Sequence, residues 1–388
     1  MLSMDTESIE GLIKLRRELH ARAELSGMEA DTAAYLREAL SSTSPAELRE
    51  GIAGNGLLAV YDSGQPGPTV LLRCDMDALP IPEDTDLPYA SRDPGASHRC
   101  GHDGHMAIML GVADFVAGSG LARGRSLLLF QPSEETGEGA AMVISDQAFA
   151  DLEIDYAFAL HNMPGFPINS VVVRAGAYAA ASRGLIVSYH GGFSHAAEPE
   201  KGTSPTPAAA FLMLELGRLP QSATALEDNS KVTVIHANLG SRAFGTSPGE
   251  AVVMATLRSY TEEAMKRLAD RAVGLAESLG DTYGLRTETS WTEPFPATIN
   301  DGECVRIVEE AASGMGLQVI NPGRTFPWSE DFGHFTAKFP GALFGLGAGE
   351  DHPNVHSHRY DFPDRILPTG VGIFEEILQN LLGTGSDR

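Results

Sequence analysis

The sequence predicts an α/β protein: a mixed sheet flanked by helices, interrupted by an inserted, smaller α+β domain. Three observations point there. Apolar strand-like runs alternate with amphipathic stretches between residues 9 and 174. Near residue 183 the order changes to β-α-β-β-α-β, the ferredoxin-like arrangement. Beyond residue 293 the first texture returns, so the smaller domain is an insertion. The expected boundaries are 1–182 and 293–388 for the larger domain and 183–292 for the insertion. A chain of 388 residues is too long for one ordinary core, which agrees with two domains.

Taken in order, residues 9–20 and 28–40 return an apolar side chain every three or four positions and predict two helices. Arg16, Arg17 and Glu18 are expected on a solvated face, and His20 at a helix end, where the dipole favours it. Residues 56–62 and 69–74 predict strands, and the second runs directly into Asp75 and Asp77. Cys100-Gly101-His102-Asp103-Gly104-His105 then opens a helix over 102–116. A strand at 126–130 leads to Glu134 and Glu135, and one at 156–160 leads to His161. A further strand at 170–174 completes this half.

In the insertion, strands are predicted at 184–190, 231–238, 250–259 and 285–291, with helices at 205–219 and 261–279. The last part gives a helix at 301–314, a strand at 342–346 and a closing helix at 366–382. A histidine cluster, His352, His356 and His358, follows that strand. Residues 383–388 read as a frayed tail.

Composition bounds the function class. The chain has 28 Lys and Arg against 52 Asp and Glu, a formal charge of −24. That argues against nucleic acid or an anionic membrane as partner. Cys74, Cys100 and Cys304 are odd in number and far apart, which is no disulfide framework and points to a reducing compartment. The first ten residues carry acids and no apolar run, and no stretch reaches membrane-spanning length. A cytoplasmic protein is expected.

The chemistry-bearing residues gather at predicted strand ends, where ligands collect in open α/β sheets. They are Asp75, Asp77, Cys100, His102, Glu134, Glu135, His161 and His356. A thiolate and an imidazole two residues apart suit a borderline-soft cation. Adjacent glutamates repel each other unless a cation or proton intervenes. One zinc takes three or four ligands, so eight candidates fit a two-metal site with outer carboxylates. No Gly-x-Ser-x-Gly elbow, phosphate loop or His-Glu-x-x-His is present.

Seven segments together resemble the dinuclear metallopeptidases of the aminoacylase and carboxypeptidase type. The branch they resemble is the amidohydrolases that include hippurate hydrolase and the indole-acetyl-amino-acid hydrolases. The segments are Arg73-Cys74-Asp75-Met76-Asp77-Ala78-Leu79-Pro80, the Cys100 stretch, Gln131-Pro132-Ser133-Glu134-Glu135, Leu160-His161, Ser194-His195-Ala196-Ala197, Ser329-Glu330-Asp331-Phe332 and His356-Ser357. The resemblance implies two divalent ions per subunit, of Zn, Mn, Co or Ni. Cys100 would bridge them, and His102, Glu135, His161 and His356 would be the other ligands. Glu134 would be the general base, and Asp77 would orient or polarise a ligand. His195 of the insertion would reach a partner subunit's site, which implies a homodimer formed through a lid domain. Arg258 would pair with a substrate carboxylate.

The implied reaction is amide hydrolysis of a small N-acyl or N-aroyl amino acid. A dipeptidase or carboxypeptidase on the same scaffold is the nearer alternative, and a non-catalytic binding protein or a thiol protein using Cys100 the more distant ones. Departures from the family pattern concern the substrate. Ala21-Arg22-Ala23-Glu24 follows His20 where His-Pro-Glu is frequent, Gly245 replaces a lid asparagine, Arg242 is added, and His358 stands where proline is common.

Overall fold

The computed structural model describes residues 5–83 and 85–385. The chain divides into two compact units. The larger draws on the chain up to Tyr178, on Thr298–Arg324 and on the chain from Asp331 onward; the smaller comprises Ala179–Ala297 and Thr325–Glu330. The short segment Thr325–Glu330 joins the smaller unit because the Ala180 N–H donates to the carbonyls of Phe326 and Trp328.

The larger unit is built on an eight-stranded mixed sheet. From one edge its strands are Glu47–Ile52, Gly56–Asp62, Arg125–Gln131, Thr69–Asp75, Tyr156–Pro164, Gly341–Gly349, Val171–Val172 and Val319–Ile320. The four central strands, Arg125–Gln131 to Gly341–Gly349, are parallel. Their carboxyl ends therefore share one edge of the sheet. Thr69–Asp75 is buried at every position, as expected of a strand covered on both faces. The helices Thr6–His20, His102–Ser119, Gly302–Gly314 and Leu367–Leu382 pack their apolar faces on the sheet and on one another around this core.

The smaller unit has a four-stranded antiparallel sheet in the order Lys231–Leu239, Glu250–Ser259, Ala181–His190, Arg286–Phe295. Numbered along the chain, that is the 2-3-1-4 order of a ferredoxin-like sheet. The helices Thr206–Arg218 and Glu262–Thr282 cover one face, burying Leu212, Leu216, Met265 and Leu268 against Val187, Val253 and Ala255.

Several sequence expectations are corrected. Arg16 is not on a solvated face. It is fully buried and bonds Asp361 at 2.8 Å, Asp364 at 2.8 Å and Asp103 at 3.3 Å. His20 closes this helix as expected and is buried, with Nδ1 2.8 Å from Asp103. Burial opposes its charge, but Asp103 outweighs burial and raises the imidazole to about 9. The helix Thr6–His20 therefore clamps the first turn of His102–Ser119 through Asp103. The strand Tyr156–Pro164 continues past His161, because Gly345 and Gly347 of the neighbouring strand pair with His161 and Met163. The predicted tail is partly held: Thr384 bridges to Leu121, and residues 386–388 lie outside the described residues. Among the described residues, no helix is long and apolar enough to cross a membrane.

Candidate metal centre and active site

The site forms where the parallel strands end. Cys100 precedes Gly101, whose φ of +94° only glycine adopts without strain. A Cβ there would lie 2.4 Å from Asn162 Oδ1 and 2.7 Å from the Tyr360 hydroxyl. This tight corner lets Cys100 face the sheet end while His102 starts the helix.

The Glu134–Glu135 turn is pinned from outside. Ser133 takes a left-handed φ of 58°, and its N–H donates to Glu29 Oε1 at 3.0 Å. The Glu135 N–H donates to Asp77 Oδ2 at 3.0 Å. His356, also left-handed at φ 63°, is held by its N–H on the Arg99 carbonyl at 2.7 Å.

The ligand atoms converge in two trios that share one sulfur. Cys100, His102 and His161 form one, and Cys100, Glu135 and His356 the other, with all ligand atoms in each trio within 4.8 Å of one another. His102 and Glu135 also cluster with Glu134. The imidazoles are oriented for coordination. His102 Nδ1 bonds the Asp77 carbonyl at 2.9 Å and His161 Nδ1 bonds the Asn162 carbonyl at 2.8 Å. A carbonyl only accepts, so each Nδ1 carries a proton and leaves Nε2 as the coordinating atom, which at His102 must first give up a proton of its own. His161 Nε2 lies 3.4 Å from Cys100 Sγ. Burial, with His105 adding to it, pushes His161 down to about 3, which keeps it neutral.

Whether these groups fit a cation can be read from what they lack. His102 Nε2 and Glu135 Oε1 are buried 3.8 Å apart, and neither has a hydrogen-bond partner among the described residues. Buried polar atoms without partners are costly, and a cation between the two removes both defects. Charge tells the same story. Burial opposes a charged His102, yet Asp75, Asp77 and Glu135 override it and raise the imidazole to about 10. Burial pushes the Glu135 carboxyl up, as do Asp77 and Asp75, against the pull of His102. Carboxylates crowded this closely favour a bound proton or cation, and the sulfur, nitrogen and oxygen donors suit a borderline divalent ion.

A further buried cluster, Asp75 with His102 and His105, is already satisfied on the His105 side. His105 bonds Asp75 through Nδ1 and Asn162 through Nε2, both at 2.6 Å. Asp77 acts through two groups: its carbonyl orients His102, and its carboxylate accepts from Ser26 at 2.6 Å and from the Glu135 N–H. His195 and Arg258 belong to the smaller unit. His195 is exposed on Ser194–His195, which pairs with Thr246–Ser247. Arg258 donates to Ser329 Oγ and to the Pro327 carbonyl, both at 2.9 Å. Arg73, Gln131 and Asn162 were given no role by sequence reasoning; for Arg73 the signal was a charged side chain inside a buried central strand, and the two amides carried none.

The model of peptidase family M20/M25/M40 matches residues 71–380. The chain belongs to this family. It is a hydrolase of amide bonds. An N-acetyl-L-cysteine deacetylase of Bacillus subtilis is 33% identical over 346 residues, covering 89% of this chain and 82% of that protein. A hippurate hydrolase of Campylobacter jejuni is 29% identical over 367 residues, covering 94% of each chain. Among solved structures, the Bacillus subtilis YXEP protein, described as a dinuclear metal binding peptidase of the M20 family, superposes with a TM-score of 0.82 at 27% identity. The match covers 98% of this chain and 100% of that one.

Proposed function

We propose that this chain is a two-metal amidohydrolase that cleaves small N-acyl or N-aroyl amino acids, with Glu134 as general base. The observation that carries the reading is the sulfur shared by two ligand trios. His102 and His161 would hold one ion, Glu135 and His356 the other, and Cys100 both. Zn, Mn, Co and Ni all suit this donor set. A divalent cation there supplies Lewis acidity, polarising an amide carbonyl and lowering the pKa of water towards about 7.

The chain's own residues supply the rest. Glu134 Oε2 faces the ligand cluster, 4.0 Å from His102 Nε2, where a carboxylate can take a proton from the attacking water and pass it to the leaving amine. Asp77 holds the tautomer of His102 and the backbone of Glu135. The acyl-amino-acid class follows the relatives, a deacetylase and a hippurate hydrolase. Arg258 is the proposed partner of a substrate carboxylate, for which a guanidinium fork is suited.

A homodimer through the smaller unit completes the proposal, with His195 as donor to the oxyanion in the partner's site. Lys231–Leu239 is an edge strand that exposes Ile235 and Leu239, and the neighbouring helix Thr206–Arg218 exposes Phe211 and Leu214. An apolar sheet edge of this kind is a template for pairing with a second copy.

Metal-loaded protein assayed on N-acetyl amino acids, N-benzoyl amino acids and dipeptides tests the reading. The expected result is a kcat/KM at least about 10-fold higher on an N-acyl amino acid than on any dipeptide. A preference for dipeptides overturns the substrate assignment, and turnover on none of them overturns the hydrolase reading of this site.

A further inference from the structure

Two of the sequence motifs contain residues that the chemistry above does not use, Arg73 of the first and Asp331 of the Ser329–Phe332 stretch. The structure brings them together beneath the Glu134 turn, inside the larger unit. Arg73 is fully buried and spends each guanidinium nitrogen on a different acceptor. Nε donates to Gln131 Oε1 at 2.9 Å, Nη1 to Asp75 Oδ2 at 2.9 Å, and Nη2 to Asp331 Oδ1 at 2.6 Å. Gln131 closes the ring by donating from Nε2 to Asp331 Oδ2 at 2.7 Å, and the Ala140 N–H donates to the same oxygen at 2.8 Å. Asp331 is thus fixed at both carboxylate oxygens. Its own N–H then donates to Glu134 Oε1, a long bond of 3.4 Å. The other oxygen of Glu134 is the one that faces the ligand cluster.

We propose that Asp331, locked by Arg73 and Gln131, is a positioning residue that holds Glu134 by one oxygen and so aims the other at the reacting water. The proposal rests on the reading of Glu134 as general base. The physical case is geometric. A glutamate on a turn has three rotatable side-chain bonds, and a base must come within about 2.6–3.2 Å of the proton it takes. A buried ion pair is no reliable source of stability, since apolar replacements often do as well. What the planar fork of Arg73 adds is direction: only a guanidinium can serve three acceptors at fixed angles. Long hydrogen bonds to a catalytic group tighten as substrate loads, and the Asp331 N–H is placed for that.

The test compares wild type, Glu134→Ala, Asp331→Asn and the double variant, loaded with metal, on an N-acetyl or N-benzoyl amino acid. Divalent-metal affinity is measured separately by competition with a chromophoric chelator. Asp331→Asn is expected to lower kcat by about 10- to 100-fold, the scale of a misplacement near 1 Å. KM and metal affinity are expected to stay within about threefold, and the substitution should add no loss in the Glu134→Ala background, because it acts through Glu134. Unchanged kcat, a metal affinity that falls in step with kcat, or losses that multiply in the double variant each overturn the proposal. Should Asp331→Asn not fold, Gln131→Met carries the same expectations: it removes the amide's bonds and keeps the Arg73–Asp331 pair. Glu134→Ala alone separates the two ideas. A wild-type rate there removes the base itself, whereas a loss there with none in Asp331→Asn removes only its positioning.

Discussion

Replacing Gly101 by alanine tests how tightly the backbone sets the ligand trio. The added Cβ would stand 2.4 Å from Asn162 Oδ1, where ordinary contact begins at 3.4 Å, so about 1 Å of movement is required. Asn162 cannot yield freely: Oδ1 is 2.6 Å from His105 Nε2, and Nδ2 donates to the Tyr360 hydroxyl at 2.7 Å. A left-handed φ costs an alanine about 1 kcal/mol, and overpacking adds about 1–3 kcal/mol, so the loss of stability should be about 2–4 kcal/mol. Cys100 and His102 flank the substituted residue, and a shift near 1 Å at these proposed ligands should cost about 100-fold in kcat. Urea unfolding with and without added metal, together with initial rates, measures both effects. Gly118 is the control: it lies in the helix that His102 begins, is exposed, and a Cβ there meets nothing within 4 Å. Gly118→Ala should gain about 0.5–1 kcal/mol, the helix propensity difference. A Gly101→Ala variant as stable and as active as wild type would refute the argument.

Further expectations follow from other parts of the molecule. Glu134→Ala should keep its bound metal and lose about 100- to 10,000-fold in kcat, the range for a general base; metal lost together with activity would show that it is a ligand. Metal should protect Cys100 from a thiol reagent that reaches it once the ion is removed by chelator, and equal labelling in both states contradicts its role as a bridge. A mixture of His195→Ala and Glu134→Ala chains should regain up to about a quarter of the wild-type rate, since half of the dimers are mixed and each has one intact site; no recovery rejects a shared site. Glu375, on the closing helix, is raised to about 7 by burial and then by neighbouring Glu376. A carboxyl raised on folding binds more protons in the native state, so stability falls as pH rises from about 4.5 to about 7. Glu375→Gln should therefore be more stable than wild type above pH 7, by about 1–2 kcal/mol after allowing for partial solvent screening, and equal to it below about pH 4. Identical pH–stability curves would remove that assignment.

The strands were legible where apolar runs were long. Thr69–Asp75 and Tyr156–Pro164 are central, buried and unmistakable, and the groups placed near their ends do meet at one edge of the sheet. Short or exposed pieces left no pattern: Glu47–Ile52 is a partly exposed edge, and Val319–Ile320 has only two residues. Arg16 was misread because its carboxylate partners stand 87 to 348 residues away, and helical periodicity carries no information about them. The same holds for Arg73, whose partner Asp331 is 258 positions distant. Motif order pointed to the candidate ligands and, through the family resemblance, to Cys100 as their bridge, but the distances that join the two trios, and a His102 nitrogen without a partner among the described residues, are properties of the folded chain.

The most direct test is the metal content of the protein after loading with zinc, manganese, cobalt or nickel and removal of excess ion. The account predicts two tightly held ions per chain in wild type, about one in His356→Ala, and markedly weaker binding at both positions in Cys100→Ala. A folded protein that retains no divalent ion, or that holds two with unchanged affinity once Cys100 is gone, would contradict it.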